Sequence, residues 1–254
     1  MKYSTRISSA ALLVACVTVA ALLAAVPPKT QTVQFKSGDE TINGFLALPD
    51  SPGRHPGLIV IHEYWGMNDW AKQQTEKLAA AGYVALAVDL YRGAIATDPQ
   101  KASELSRTTP RDRALRDLEA GFDFLAARSD VNNAKIGSIG WCMGGGYSFQ
   151  LAVNEPRLAA CVVYYGPPPT DPASIAKIKA PILGNFGGDD RVVQPEAVKA
   201  FETAATGAGK SVDIKIYDGA PHAFANENNK DGYRPAATTD AWSRSTAFLG
   251  KTLK

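Results

Sequence analysis

The sequence predicts an α/β fold with a mainly parallel central sheet and helices on both faces. Short, continuous apolar runs, typical of strands buried on both sides, alternate with segments whose apolar residues recur at helical spacing. Each connection between consecutive buried runs is long enough to hold a helix, as parallel strands require. The 254 residues, 45% hydrophobic and 20% charged, are enough for one domain with a full core.

The predicted elements begin with an antiparallel pair and continue as alternating strands and helices. Two strands, 32–36 and 41–48, flank the turn Ser37-Gly38-Asp39-Glu40. The buried runs predict further strands at 57–61, 84–90, around 136–141, 158–165, 181–186 and 212–217. Helices are predicted at 71–81, 100–107, 113–128, directly after residue 142, at 196–205 and at 238–249. Functional residues are expected directly after strands, because such sheets bind ligands at the carboxyl ends of their strands.

One junction between a strand and a helix carries a reactive side chain. Cys142 stands between Gly140 and Gly144, and small residues at these positions allow a tight turn that lifts the side chain clear of the sheet. The start of the following helix favours a thiolate, and the Met143 N–H is placed to donate to an oxyanion. On this motif alone, a nucleophile and a small buried apolar residue are equally good interpretations of Cys142.

A thiol nucleophile needs a base and a third group that orients the base. His222 is the one histidine in the loop after the final strand, and Asp189 and Asp190 follow the strand at 181–186. The order nucleophile, acid, histidine is the order found in α/β-hydrolases. An Asp in a turn or an isolated His is often only structural, but three such residues after three separate strands favour catalysis.

From about Gln31 onward the chain resembles the dienelactone hydrolase family of α/β-hydrolases. The motifs that carry the resemblance are Ile61-His62-Glu63-Tyr64-Trp65-Gly66-Met67-Asn68, Asp89-Leu90-Tyr91, Gly140-Trp141-Cys142-Met143-Gly144-Gly145, Gly187-Gly188-Asp189-Asp190 and His222-Ala223-Phe224. The resemblance implies the α/β-hydrolase fold, and hydrolysis of an ester or lactone through a thioester on Cys142. No cofactor is expected.

The resemblance also implies roles for residues around the nucleophile. Asp190, and not Asp189, is the acid that orients the histidine. Glu63 contacts the nucleophile and helps to control its ionisation, and the backbone N–H of Tyr64 is the second oxyanion donor.

The expected substrate contacts are less typical of the family. Members that open dienelactone hold its carboxylate with arginines, one of them four positions after the catalytic histidine, where this chain has Asn226. Arg92 lies close to the position of a second family arginine, displaced by one residue. We therefore expect Arg92 and Asn226 to contact substrate, and a preference for uncharged esters or lactones. Tyr91 and Trp65 are candidate pocket aromatics, for which core packing is an equally good interpretation.

Residues 1–30 predict export. Residues 1–9 are short and basic, 10–26 form an almost unbroken apolar run, and two prolines end it. About 17 apolar residues fit either a long signal peptide or a short N-terminal membrane anchor, and both interpretations stay open. Leu13-Val14-Ala15-Cys16 also resembles a bacterial lipoprotein cleavage box, although Cys16 as one more apolar residue is the preferred interpretation. A periplasmic or envelope-associated protein with its domain at 31–254 is expected.

Composition and motifs exclude several classes of partner. The net charge of +2 is accounted for by Lys2 and Arg6 of the leader, so it gives no reason to expect nucleic acid. No nucleotide-binding glycine motif is complete, and the cysteines lack metal-ligand spacing. A disulfide between Cys142 and Cys161 would consume the predicted nucleophile, so none is expected. We expect a monomer that acts on a small molecule.

Two alternatives belong to other functional classes. A non-catalytic α/β-hydrolase-fold binding protein of the cell envelope is possible because a fold does not fix a function, but the complete set of Cys142, Asp190 and His222 argues against it. A thiol redox sensor based on Cys142 lacks an adjacent resolving cysteine.

Overall fold

The computed structural model describes Met1 and residues 28–254. Residues 2–27, which hold most of the predicted leader with Cys16, lie outside the described residues. The described chain forms one eight-stranded sheet flanked by helices. The strands are β1 Lys29–Ser37, β2 Glu40–Leu48, β3 His55–Ile61, β4 Val84–Val88, β5 Val131–Trp141, β6 Ala160–Tyr164, β7 Ile182–Gly187 and β8 Val212–Tyr217.

The sheet is antiparallel at one edge and parallel elsewhere. Its strand order is β1-β2-β4-β3-β5-β6-β7-β8. β2 pairs antiparallel with both β1 and β4, whereas every pairing from β4 across to β8 is parallel. The antiparallel start and the mainly parallel sheet predicted from the sequence are confirmed.

Helices fill the connections as predicted, with one addition. In the described part of the chain they are α1 Asp69–Ala80, α2 Pro99–Thr108, α3 Arg111–Ala126, α4 Met143–Asn154, α5 Pro172–Lys177, α6 Pro195–Gly207 and α7 Pro235–Leu253. The short α5 was not predicted, although Asp171 caps it by accepting from the Ser174 N–H at 2.9 Å. None of these helices is both long and apolar enough to cross a bilayer.

Helices pack on both faces of the sheet because the strands alternate their side chains. In β3, Ile59 and Ile61 face the apolar layer formed with α3, α4 and α6, whereas Leu58 and Val60 face the layer formed with α1 and α7. Burying each such side chain contributes about 1.5–3 kcal/mol. The two layers hold the sheet rigid, so that the loops leaving its carboxyl ends have fixed positions.

Candidate active site

The turn between β5 and α4 holds Cys142 in a backbone conformation that side chains rarely adopt. Its φ is 54° and its ψ is −120°, and its N–H donates to the Tyr164 carbonyl at 3.0 Å. A side chain at Gly140 would collide with the Gly144 backbone, and one at Gly144 would collide with the Ile61 carbonyl. Both glycines are therefore needed for the close approach of strand and helix that projects Cys142 from the sheet.

The loops after β7 and β8 bring an acid and a histidine to this turn. Nε2 of His222 lies 3.1 Å from Sγ of Cys142, and Nδ1 lies 2.8 Å from Oδ2 of Asp190. Asp190 is buried, and its Oδ1 accepts from the N–H groups of Val192 and Val193 at 2.7 and 2.9 Å. The carboxylate is thus fixed by the backbone of its own loop.

The surroundings of His222 favour its charged form. Burial by itself lowers the pKa of the imidazole, but the hydrogen bonds and negative charges of Asp190 and Cys142 outweigh it and raise the pKa to about 10. The Asn229 amide donates to the His222 and Ala223 carbonyls at 3.2 and 3.3 Å, which holds the loop. The imidazole thus lies between the Cys142 sulfur and the Asp190 carboxylate, within hydrogen-bond reach of both.

Glu63 is buried and lines the same cavity as Cys142. Its Oε2 accepts from Nδ2 of Asn226 at 2.6 Å, and its Oε1 accepts from the Tyr165 hydroxyl at 3.2 Å. Burial raises the pKa of Glu63, although Asn226, His222 and Tyr165 counteract the rise. The described hydrogen bonds of the Glu63 carboxyl group go to Asn226 and Tyr165 and not to Cys142, so its expected influence on the nucleophile stays a prediction.

Met143 and Tyr64, the expected oxyanion donors, flank the nucleophile. Met143 is the first residue of α4, and Tyr64 follows β3 on the facing loop, with both residues lining the same cavity as Cys142. The Met143 Sδ accepts from the hydroxyls of Tyr91 and Ser106 at 3.1 and 3.4 Å. These contacts fix the side chain of Met143 against α2.

The cavity in front of Cys142 has a volume of about 1470 Å³, above the roughly 300–1,000 Å³ of typical ligand pockets. Trp65 lines it, as expected, together with Tyr147, Pro167 and Val192. Arg107 and Arg111 also line it, and neither forms an ion pair with a described carboxylate. Neither arginine was predicted from the sequence, because they lie on α2 and at the start of α3, not directly after strands.

Two predicted substrate contacts, Arg92 and Tyr91, need correction, whereas Asn226 stays a prediction. Arg92 is outside the cavity lining, and its guanidinium forms ion pairs with Asp117 at 2.7 Å and Glu40 at 3.0 Å. Tyr91 is buried against Met143 and is likewise outside the lining. Asn226 lines the cavity, and its amide makes two hydrogen bonds within the protein, one from its nitrogen to Glu63 and one from the Asn228 N–H to its oxygen.

The other described cysteine, Cys161, is fully buried, whereas Cys142 is partly exposed. Cys161 is buried in β6, where burial raises its pKa to about 11, and it contacts the Ser148 hydroxyl at 3.4 Å. Both cysteines are free thiols. Within residues 28–254, no cluster of three metal-binding side chains occurs.

The family to which this fold and site belong follows from comparison with known proteins. The model of the dienelactone hydrolase family matches residues 42–253. The chain belongs to the dienelactone hydrolase family. As a member of this family it is a hydrolase of ester or lactone bonds.

Individual members of the dienelactone hydrolase family are similar over most of their length. A Saccharolobus solfataricus protein, named as a candidate carboxymethylenebutenolidase, is 32% identical over 87% of this chain and 98% of its own. A Bradyrhizobium protein, named as a candidate 2-oxo-3-(5-oxofuran-2-ylidene)propanoate lactonase, is 31% identical over 87% of this chain and 95% of its own. The crystal structure of a candidate dienelactone hydrolase from Klebsiella pneumoniae superposes with a TM-score of 0.81 at 25% identity, covering 88% of this chain and 98% of the other.

Proposed function

We propose that the protein hydrolyses its ester or lactone through a thioester on Cys142, with His222 as the base and Asp190 as the residue that orients it. The observation that carries the proposal is the pair of contacts on His222, 3.1 Å to the Cys142 sulfur and 2.8 Å to the Asp190 oxygen. A nucleophile, a base and an orienting acid within hydrogen-bond reach are what covalent acyl transfer requires.

The first half-reaction forms the thioester. The Cys142 thiolate attacks the substrate carbonyl, and the N–H groups of Met143 and Tyr64 stabilise the resulting oxyanion. The His222 imidazolium gives its proton to the departing alkoxide, so the C–O bond breaks and an alcohol is released. In a lactone the alcohol stays attached to the acyl group.

The second half-reaction regenerates the thiol. Acylation removes the negative charge of Cys142, so one of the interactions that raises the pKa of His222 is lost. The neutral imidazole can then take a proton from water, whose oxygen attacks the thioester carbonyl. Collapse of this second oxyanion releases the carboxylic acid, and the sulfur leaves as a thiolate beside protonated His222. Asp190 stabilises the imidazolium in both steps.

The nucleophile is tested by paired cysteine variants. Cys142→Ala should abolish hydrolysis of a chromogenic ester with only a small change in the thermal unfolding midpoint, because the side chain is partly exposed and packs only at the border of an apolar layer. Cys142→Ser should keep at most weak activity, and Cys161→Ala, which removes the buried thiol, is the matched control. Intact-mass analysis of enzyme quenched with a slow ester should show one acyl adduct that hydroxylamine removes. Full activity in Cys142→Ala would end the proposal.

We further propose that residues 1–30 direct the protein out of the cytosol. The basic start, the apolar run and the two prolines support this proposal. Fractionation of cells that express the full chain should place it in the envelope fraction, and sequencing of its N-terminus distinguishes cleavage from a retained anchor. Recovery of the uncleaved chain in the cytosol would contradict export. Light scattering of the purified domain tests the expected monomer.

A further inference from the structure

His62 is a buried histidine that the proposed reaction does not use directly. Its side chain is 1% exposed, and its Nδ1 lies 2.6 Å from the carbonyl oxygen of the next residue, Glu63. A carbonyl oxygen can only accept, so Nδ1 carries the proton and donates it. Burial lowers the pKa of His62, with contributions from Glu63 and Asp89 opposing, which keeps the imidazole in the neutral form that this single donation needs.

The carbonyl that His62 holds belongs to the same peptide group as the Tyr64 N–H. A trans peptide is planar, and its C=O and N–H point in opposite directions. No cis peptide bond occurs among the described residues. Fixing the Glu63 oxygen therefore fixes the direction of the Tyr64 N–H. This N–H makes no hydrogen bond to any described group, and Tyr64 is one of the residues that line the cavity.

The backbone around this peptide is already locked on one side. The carbonyls of Ile61 and His62 pack directly against Gly144 at the start of α4, so the segment cannot shift as a whole. The remaining freedom is rotation of the peptide between Glu63 and Tyr64. Besides His62, the Gly66 N–H contacts the same carbonyl oxygen, at the longer distance of 3.2 Å.

We propose that His62 is a positioning residue that sets the oxyanion hole by holding the peptide between Glu63 and Tyr64 in one orientation. The inference rests on the proposed function, in which the Tyr64 N–H stabilises the oxyanion. Without the His62 donor, the peptide can rotate and turn its N–H away from the reacting carbonyl. The edge-on packing of the imidazole against Tyr91, with ring centroids 5.0 Å apart, keeps the ring in place for this task.

The test compares His62→Leu, which has no donor, with His62→Asn, whose amide nitrogen can take the place of Nδ1. His62→Leu should lower kcat about 10- to 100-fold with little change in KM, less than the loss of a whole oxyanion donor, because Gly66 still holds the carbonyl. His62→Asn should recover most of this loss. His62→Phe, which keeps an aromatic ring against Tyr91, replaces His62→Leu if the latter unfolds.

A reaction of Cys142 that forms no oxyanion separates positioning from general damage. Iodoacetamide alkylates the thiolate by displacing iodide at a saturated carbon, so its rate should stay within about twofold of wild type in His62→Leu. The affinity for a trifluoromethyl ketone, whose adduct carries an oxyanion, should fall in parallel with kcat. Unchanged kcat in His62→Leu, or an equal loss of alkylation and turnover, would overturn the inference. Turnover retained in Cys142→Ala would instead overturn the proposed function.

Discussion

Nδ2 of Asn226 donates to Oε2 of Glu63 at 2.6 Å and joins two loops whose residues are 163 positions apart in the chain. The contact gives a buried carboxyl group one of its two described side-chain donors, the other being the Tyr165 hydroxyl. It also commits one N–H of Asn226 to Glu63, which leaves the other for the substrate contact that was expected from its place in the motif. Asn226 thus helps to hold the buried carboxyl group of Glu63 in place.

Replacing Asn226 by Leu should destabilise the protein by about 2 kcal/mol at pH 8, because the buried Glu63 loses a donor. The folded-state pKa of Glu63 is already raised, and losing Asn226 raises it further. For a carboxyl group whose pKa is higher in the folded than in the unfolded protein, the contribution to the free energy of unfolding is fully present below the pKa of the unfolded state. It is lost as the pH rises through the pKa of the folded state. The destabilisation should therefore be smaller at pH 4 than at pH 8 in urea unfolding.

The control for this variant is Asn228→Ala. It removes an exposed side chain but keeps the backbone N–H that donates to Asn226 at 2.9 Å. Its free energy of unfolding should match that of wild type at both pH values. Equal destabilisation of Asn226→Leu at pH 4 and pH 8 would mean that Glu63 does not change its charge over this range.

Asp190 and Asp189 are adjacent, and their substitutions should differ strongly. Asp190→Asn should lower kcat by about 10⁴-fold, as for orienting acids of other triads, because it removes the negative charge beside His222 and favours the wrong tautomer. Asp189 has no described side-chain hydrogen bond, and its backbone N–H contact with the Ala220 carbonyl survives substitution. Asp189→Asn should therefore stay within about threefold of wild type. Steady-state kinetics with one chromogenic ester decide the ranking, and the reverse order would place the acid at position 189.

The charge of His222 should depend on Cys142. Because a hydrogen bond to Cys142 and its negative charge help to raise the His222 pKa to about 10, Cys142→Ala should lower this pKa while the contribution of Asp190 remains. NMR titration of the His222 imidazole resonances in the two proteins measures the difference. An unchanged His222 pKa in Cys142→Ala would show that the thiol and the imidazole are not coupled.

The sequence was informative wherever one local pattern fixes one local geometry. Gly140 and Gly144 can be recognised as the two positions where strand and helix backbones touch, since only glycine leaves room for that contact. The order of Cys142, Asp190 and His222 after their strands follows from parallel sheet topology, which gathers the carboxyl ends of strands at one edge.

The contacts of the long polar side chains could not be predicted in this way. Arg92 was expected in the cavity, but it forms an ion pair with Asp117 on α3 instead. Asp117 is buried, and the sequence does not indicate which basic residue a buried acid on a helix will pair with. Tyr165 reaches Glu63 across 102 residues for a similar reason. Such pairings depend on tertiary packing, which places side chains within hydrogen-bond reach regardless of their separation in sequence.

Substrate charge provides the last prediction. Arg92 is held by Asp117 and Glu40 outside the cavity lining, and the Asn226 amide is neutral, so neither offers a charged clamp for a substrate carboxylate. A missing charge-assisted hydrogen bond of about 1.5–3 kcal/mol corresponds to a roughly ten- to hundredfold loss in kcat/KM. Dienelactone methyl ester and dienelactone itself form a matched pair, and the uncharged ester should be turned over with the higher kcat/KM.

Two exposed arginines of the cavity, Arg107 and Arg111, act against the preference for the uncharged ester, because each can attract a substrate carboxylate. Arg107 and Arg111 line the cavity in solvent, where an ion pair contributes at most about 1 kcal/mol, so each should change the ratio of the two kcat/KM values by less than about fivefold. Arg107→Gln and Arg111→Gln measure this contribution, and Arg191→Gln, an exposed arginine outside the cavity lining, is the control. If dienelactone is preferred and Arg111→Gln reverses that preference, then the start of α3 supplies the clamp that position 226 lacks.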